Sequence, residues 1–106
     1  MEIEVYSFEE YVSVTVVDGC RPIACANMDL IGDFWYLCRL KVNPENKRQG
    51  WGTKMIEKLK EEAGGLPIVV QPGGYAETSM EIKNAFYHSC GFKDFEHGMR
   101  LETNDN

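Results

Sequence analysis

The sequence predicts one α/β domain of the α+β type, in which a mixed, mostly antiparallel central sheet is accompanied by two main helices. Three observations predict this fold class. The N-terminal part alternates apolar and polar residues with the period of half-buried strands, the later part contains two amphipathic helical stretches, and glycine or proline separates most of these segments. The 106 residues suit a single domain, 1–106, with a polar tail at 103–106.

The first four predicted elements are strands. Ile3–Tyr6 alternates apolar and polar residues, and Tyr11–Val17 is the clearest strand because it is rich in β-branched residues. The turn signal Asp18-Gly19 joins it to a returning strand at Pro22–Met28. Phe34–Val42 is long and apolar enough to be a central strand, and an Asn-Pro dipeptide ends it.

A helix and a short strand are predicted next. The helix, Thr53–Ala63, is followed by Gly64-Gly65, which ends it, and then by an apolar strand at Leu66–Gln71. The helix has one apolar stripe, made of Met55, Ile56, Leu59 and Ala63.

The last elements are a second helix and a hairpin. The helix is predicted from Thr78 to Ser89, with a capping box between Thr78 and Glu81 and a left-handed end at Gly91. Its buried side is predicted to carry Ile82, Ala85 and Phe86. The hairpin would pair Phe92–Phe95 with Met99–Thr103.

Composition excludes several classes of function. The net charge of −6 argues against general nucleic-acid binding and is compatible with a cationic substrate such as a lysine side chain. The start of the chain is acidic and no apolar run approaches the ~20 residues of a membrane span, so we expect a cytoplasmic protein without a membrane partner.

The cysteines and histidines do not predict a metal site. Their spacings contain no CxxC pair and do not complete a zinc motif, so we expect no metal and reduced cysteines, of which Cys25 and Cys38 behave as small apolar strand residues.

The junction between the fourth strand and the first helix has the features of an anion-binding loop. Gly50 and Gly52 precede the helix, whose first amides have no internal partners and whose dipole adds partial positive charge. Such a loop can hold a pyrophosphate through backbone N–H groups, with Lys47 and Arg48 as nearby cations. A plain glycine turn that opens a helix is the alternative.

Two motifs resemble those of the GNAT superfamily of N-acetyltransferases. Lys47-Arg48-Gln49-Gly50-Trp51-Gly52 is similar to the family's acetyl-CoA loop, Arg/Gln-x-x-Gly-x-Gly/Ala, with Lys47 departing from the first position. Phe86-Tyr87-x-x-x-Gly91-Phe92 is similar to its second signature and lies after one further strand, as the family's order requires. The resemblance covers roughly Phe34 to Phe95.

The resemblance implies an N-acetyltransferase that moves the acetyl group of acetyl-CoA to a primary amine by direct attack. It places Tyr87 as the general acid that protonates the departing coenzyme A thiolate. The alternative for Tyr87 is an amphipathic residue at the edge of the core. The cofactor-binding residues it implies are Leu40 and Val42, through their backbone, and Lys47, Arg48, Gln49, Gly50, Trp51, Gly52 and Thr53.

The sequence does not select a general base. Many relatives carry a Glu on the strand before the loop, but Phe34–Val42 contains no carboxylate. Asp29, Asp33 and Glu77 remain candidates. We expect His88 to be a surface residue, and Cys90 to be a buried structural thiol.

The first two strands are separated by Ser7–Glu10 alone, too few residues for the helices that most relatives place there. We therefore expect an open acceptor groove, bordered by Tyr75 and Glu77 in the loop 72–78, that suits a protein lysine. Minimal members of this build include phage-encoded inactivators of host defence proteins. A catalytically weak or inactive CoA-binding or protein-interaction module is the alternative, and the oligomeric state, monomer or homodimer, stays open.

Overall fold

The computed structural model describes residues 2–47, 49–71, 80–95 and 98–103, apart from the side chains of 80–83. In this part of the chain, seven strands form one sheet. They are β1 (Glu2–Phe8), β2 (Tyr11–Asp18), β3 (Arg21–Ile31), β4 (Phe34–Val42), β5 (Ile68–Val70), β6 (Lys93–Phe95) and β7 (Gly98–Leu101). A 3₁₀ turn, Pro44–Asn46, precedes helix α1 (Trp51–Glu62), and helix α2 (Met80–Ser89) follows β5.

The sheet has the strand order β1-β2-β3-β4-β5-β7-β6. β4 and β5 are parallel and every other neighbouring pair is antiparallel. A parallel pair needs a crossover connection, and α1 supplies it. The predicted mixed, mostly antiparallel sheet with two helices is confirmed, as are the C-terminal hairpin and the bounds of β4.

Helix α1 begins two residues earlier than predicted, because Gly50 adopts a left-handed conformation (φ 83°) and serves as its N-cap. β5 is shorter than the predicted Leu66–Gln71. The predicted end of α2 is confirmed: Gly91 has φ 101°, and the amide of Phe92 bonds back to the carbonyl of Tyr87 at 3.0 Å.

The hydrophobic core lies between the sheet and α1. The α1 residues Met55, Ile56 and Leu59 are at most 1% exposed, as the apolar stripe predicts. They face the sheet side on which Val12, Val14 and Val16 of β2 are also at most 1% exposed. Trp35 of β4 fixes the end of the helix, since its Nε1 donates a hydrogen bond to the carbonyl of Ala63 at 3.0 Å.

Both helices lie on this one side of the sheet. α2 packs beside α1, where Phe86 lies against Gly52, and Tyr87 and Phe92 join the same core cluster. β1 and β2 are joined by a direct hairpin through Glu9 and Glu10, so no helix lies between them. We call the opposite side the uncovered face, since no helix covers it in the part of the chain that the structure describes.

Two sequence predictions about burial are wrong. Ala85 was predicted on the buried side of α2 but is exposed, and Tyr87 is buried in its place, because its ring packs against both Phe86 and Phe92. Cys38 was predicted to be a small apolar strand residue but is exposed, because it lies at a β-bulge where the register of β3 and β4 shifts. The predicted Thr78–Glu81 capping box and the side chain of Ile82 lie outside the described residues. Neither described helix has the length and apolar character that would let it cross a membrane.

Candidate active site

The predicted anion-binding loop lies between β4 and α1. Gly50 is exposed, and a Cβ at this position would meet no atom within 4 Å, so the positive φ alone requires glycine here. The first bond of α1 runs from the Lys54 amide to the Gly50 carbonyl at 3.1 Å. The backbone N–H groups of Trp51, Gly52 and Thr53 come before this bond. They have no hydrogen-bond acceptor within the helix and point outward from its N-terminus. Four of the predicted cofactor-binding residues therefore meet at one helix end.

A glycine is required at position 52 for a different reason from the one at position 50. A Cβ there would lie 2.9 Å from Cζ of Phe86, closer than real Cβ contacts. The glycine therefore lets α2 approach the first turn of α1. The two motifs of the sequence, separated by more than thirty residues, meet at this contact.

Side chains around the loop add polar and cationic groups. Trp51 is half-buried, and its Nε1 donates a hydrogen bond to Oε1 of Gln49 at 3.1 Å. Nζ of Lys54 lies 4.9 Å from the centre of the Trp51 ring. Lys47 is exposed beside them, and Arg48 lies outside the described residues. Lys54 was not among the predicted cofactor-binding residues, although its position three residues after Trp51 on a helix favours the contact.

β4 separates from β5 beside this loop. The two parallel strands share only the pairs Trp35↔Ile68 and Tyr36↔Val69, whereas β4 continues to Val42 paired with β3. The Cys38 bulge begins at this point of divergence. Within the described residues, β4 beyond Tyr36 thus has one edge without a paired strand. Leu40 and Val42, both half-buried, lie on that stretch.

Tyr87 lies on the helix-covered side of the sheet, in the core cluster. It is 8% exposed, and its ring makes edge-on contacts with Phe86 and Phe92 at centroid distances of 5.2 and 5.3 Å. Burial, with a smaller contribution from Cys90, raises the pKa of Tyr87 to about 12, because a phenolate is poorly solvated there. The phenol therefore carries its proton at neutral pH.

The uncovered face has a cavity of about 400 Å³ beside the same opening. Its lining residues are Phe34, Tyr36, Val69, Gln71, Phe95, Gly98 and Arg100. Aromatic side chains form much of the wall, and the guanidinium of Arg100 lies 5.3 Å from the centre of the Phe95 ring. The predicted border residues Tyr75 and Glu77 lie outside the described residues.

The candidate bases have distinct surroundings. Asp29 is half-buried on β3, and its Oδ2 accepts a hydrogen bond from the thiol of Cys38 at 3.2 Å. Asp33 is exposed in the turn between β3 and β4. His88 is exposed, as predicted, and its Nε2 lies 2.9 Å from Oδ1 of Asp94. Cys90 is half-buried, and burial raises the pKa of its thiol. Among the described residues, no cluster of three or more His, Cys, Asp or Glu side chains is placed to hold a metal ion.

Comparison with known proteins identifies the family and the fold. The model of a family described as an acetyltransferase (GNAT) domain matches residues 9–94. No curated protein sequence matches the chain.

Several solved structures are similar to this chain. The ribosomal-protein-S18-alanine N-acetyltransferase of Escherichia coli is 20% identical, with a TM-score of 0.75 over 94% of this chain and 74% of its own. The E. coli putative N-acetyltransferase YhhK, solved with coenzyme A bound, is 18% identical, with a TM-score of 0.75 over 92% and 75% of the two chains. The anti-CRISPR protein AcrVA5 is 24% identical, with a TM-score of 0.69 over 85% of this chain and 98% of its own.

Proposed function

Because this chain belongs to the GNAT acetyltransferase domain family and is therefore an acyl-CoA-dependent N-acetyltransferase, we propose that it moves the acetyl group of acetyl-CoA to a lysine side chain of another protein. One observation carries the proposal. A left-handed glycine, a helix N-terminus and a stretch of a central strand lie side by side. Among the residues that the structure describes, this stretch has one unpaired edge and no helix covers the sheet face beyond it.

The loop supplies the binding site for the pyrophosphate. Backbone amides of Trp51, Gly52 and Thr53 and the α1 dipole favour an anion at the helix N-terminus. Lys47, Gln49 and Lys54 lie around the same turn and add charge and hydrogen-bonding groups. Arg48, adjacent in sequence, is included in the proposed set. These residues fit a pyrophosphate, because the first turn of α1 has no acidic side chain that would repel it.

The free edge of β4 supplies the binding site for the pantetheine arm. Unpaired strand N–H and C=O groups need partners, and an extended arm with two amides can provide them in the manner of an added strand. Leu40 and Val42 lie on this stretch, between the loop and the bulge.

Tyr87 is proposed as the general acid. Acetyl transfer forms a bond from the amine nitrogen to the acetyl carbon, breaks the carbon–sulfur bond and leaves a thiolate that takes a proton. Tyr87 holds such a proton at neutral pH on the helix-covered side of the sheet. Its raised pKa also makes it a weak donor, which is the observation that favours the second candidate, a CoA-binding module with little catalysis.

A protein acceptor is favoured over a small metabolite by the open face. Exposed large apolar side chains on it include Tyr6, Phe8, Ile31 and Phe95, at 41–61% exposure. Tyr6 and Phe8 lie two residues apart on β1, and exposed apolar side chains grouped in this way mark surfaces that contact other proteins. The net charge of −6 suits a lysine-bearing partner. We place the reaction in the cytoplasm.

The resemblance in size and fold to an anti-CRISPR protein supports a role against a host defence system. We therefore propose a phage-encoded protein whose target is a component of such a system, inactivated when its lysine is acetylated.

The cofactor site is tested by thermal unfolding with acetyl-CoA. A ligand at 100 times its Kd stabilises a protein by about 2.7 kcal/mol, so the melting temperature should rise clearly. Gly50→Val should abolish the rise, because a β-branched residue resists φ 83°. Glu61→Gln, at the other end of α1, serves as the control and should keep the rise. No rise in the wild-type protein at millimolar acetyl-CoA would refute the cofactor site.

The reaction is tested by intact-mass analysis of candidate host proteins incubated with the enzyme and acetyl-CoA. The mass of one acetyl group should be added to the target, and peptide mapping should locate it on a lysine. Tyr87→Phe should bind acetyl-CoA as the wild type does and transfer the acetyl group about 10²-fold more slowly. Equal rates would exclude Tyr87 as the acid, and an absence of transfer to every protein tested would favour the binding module.

A further inference from the structure

The strand registers align one row of side chains across the uncovered face. Each member is the direct cross-strand partner of the next. The row consists of Phe8, Tyr11, Asp29, Tyr36, Val69, Arg100 and Lys93. Asp29 is the carboxylate in the middle of this row, with aromatic neighbours on both adjacent strands.

Asp29 also lies beside the point at which β4 leaves β5. Its partner Tyr36 forms the last β4–β5 pair, and its Oδ2 bonds the thiol of Cys38 in the bulge. The groups that face it are Tyr11 from β2, Tyr36 and Cys38 from β4, and, one pair further along, Arg39 opposite Asn27. Asp29 itself is half-buried, so it is partly accessible from the uncovered face.

The length of the pantetheine arm points to the same place. About thirteen bonds separate its phosphate from its sulfur, the backbone length of roughly four extended residues. An arm that starts near Val42, next to the loop, and follows the free edge of β4 therefore ends close to Cys38. Tyr87 belongs to the core on the helix-covered side of the sheet, and Asp29 lies on the uncovered face.

We propose that Asp29 binds the ammonium group of the acceptor lysine and removes its proton before attack. This proposal rests on the proposed function. The proton moves from the lysine Nζ to a carboxylate oxygen of Asp29, directly or through one water, and the freed electron pair forms the bond to the acetyl carbon. The carbon–sulfur bond then breaks and the proton of Tyr87 goes to the departing sulfur. The second proton that the nitrogen loses on becoming an amide goes to the Tyr87 oxygen, directly or through water. Aromatic walls suit the alkyl stem of lysine, and a carboxylate suits its head.

The other carboxylates near the opening fit less well. β4 has none, and Asp33 is exposed in the β3–β4 turn, separated from the row by two cross-strand pairs. Asp33→Asn is therefore a matched control for Asp29→Asn, since both change a carboxylate to an amide on the same hairpin.

The first test uses the binding of a non-reacting pair, desulfo-coenzyme A, which has no thiol, with an Nα-acetyl-lysine amide. Binding is monitored by alkylation of Cys38 with iodoacetamide, located by peptide mapping. Burial, together with the hydrogen bond to Asp29 and its charge, raises the pKa of Cys38 to about 11. Asp29→Asn should lower the pKa of Cys38, and Asp33→Asn should not. The lysine amide should change the alkylation rate in the wild type and in Asp33→Asn, with no change in Asp29→Asn. The ammonium site would be overturned if the lysine amide left the alkylation rate of the wild type unchanged. It would also be overturned if the lysine amide changed the rate equally in the wild type and in Asp29→Asn.

The second test is the pH profile of kcat/KM for a lysine peptide. Asp29→Asn should lose about 10²- to 10⁴-fold near neutral pH and recover as the pH approaches about 10.4, where lysine loses its proton unaided. Asp29→Glu should recover part of the loss, and Asp33→Asn should match the wild type. A profile of Asp29→Asn within about twofold of the wild type at every pH would overturn the base role.

These outcomes are distinguishable from failure of the proposed function. Failure of the proposed function appears in the wild-type protein, as no stabilisation by acetyl-CoA or no transfer to any protein lysine. Failure of the Asp29 proposal appears as wild-type behaviour in Asp29→Asn.

Discussion

The two faces of the sheet differ although they share the same strands. On β2, Val12, Val14 and Val16 point to the helices and are at most 1% exposed, whereas the alternate residues Tyr11, Ser13 and Thr15 are half-buried on the uncovered face. One face therefore supplies most of the stability of the fold. The other, with no helix between β1 and β2 to cover it, is free to carry an acceptor surface and a polar group such as Asp29.

The comparison is tested most strongly by matched truncations on the two faces. Leu59→Ala removes a side chain of 0% exposure and should cost about 2–5 kcal/mol in the free energy of unfolding. Ile31→Ala, on the uncovered face at 48% exposure, should cost less than about 1 kcal/mol. Chemical denaturation measures both, and equal losses would show that the uncovered face is part of the core.

The two tryptophans allow a buried and an exposed hydrogen bond to be compared. Trp35 is 5% exposed and satisfies the carbonyl of Ala63, so Trp35→Phe should cost about 1–3 kcal/mol in the free energy of unfolding. Trp51→Phe loses an exposed bond to Gln49, keeps an aromatic ring beside Lys54, and should cost within about 0.5 kcal/mol. If both substitutions cost a similar free energy of unfolding, the buried bond of Trp35 stabilises the fold no more than the exposed bond of Trp51.

A smaller loss of stability is expected from a change at the contact between α1 and α2. Gly52→Ala places a methyl group against Phe86 and should cost about 1 kcal/mol in the free energy of unfolding. In the background Phe86→Leu, which vacates the ring position, the same change should cost less. Denaturation of the two single variants and the double variant gives the coupling energy. Strict additivity would place the two helices further apart than the structure does.

The smallest expected effect is the alkaline pH dependence of stability. The pKa of Tyr87 is raised to about 12 in the folded protein, above the value near 10 of an unfolded tyrosine, so its contribution is present below about pH 10 and is lost as the pH rises toward 12. Between about pH 8 and about pH 11 the wild type should lose about 1 kcal/mol more stability than Tyr87→Phe. Parallel losses in the two proteins would mean that the Tyr87 phenol is solvated.

Much of the fold and part of the site were predictable from local patterns. The period-two alternation of β2, the apolar stripe of α1 and the glycines after both helices depend on nearest neighbours in sequence, and the structure confirms them. The loop motif predicted Gly50 at a helix start for the same reason. The buried side of α2 was less predictable, because Phe86 and Tyr87 are adjacent apolar residues and only the packing partners Gly52 and Phe92 decide which of them is buried.

The element order, the two glycine motifs and the family that they indicate follow from local patterns in the sequence. The short connection between the first two strands also determined that no helix forms there. Two features of the strand pairing are visible only in the folded sheet. In the β3–β4 hairpin, a bulge exposes Cys38 and the register sets Asp29 beside Tyr36 on the uncovered face. Between β4 and β5, which are distant in the chain, the pairing ends after two pairs. The physical reason is that cross-strand partners are fixed by the packing of the whole sheet against its helices, which no local spacing encodes.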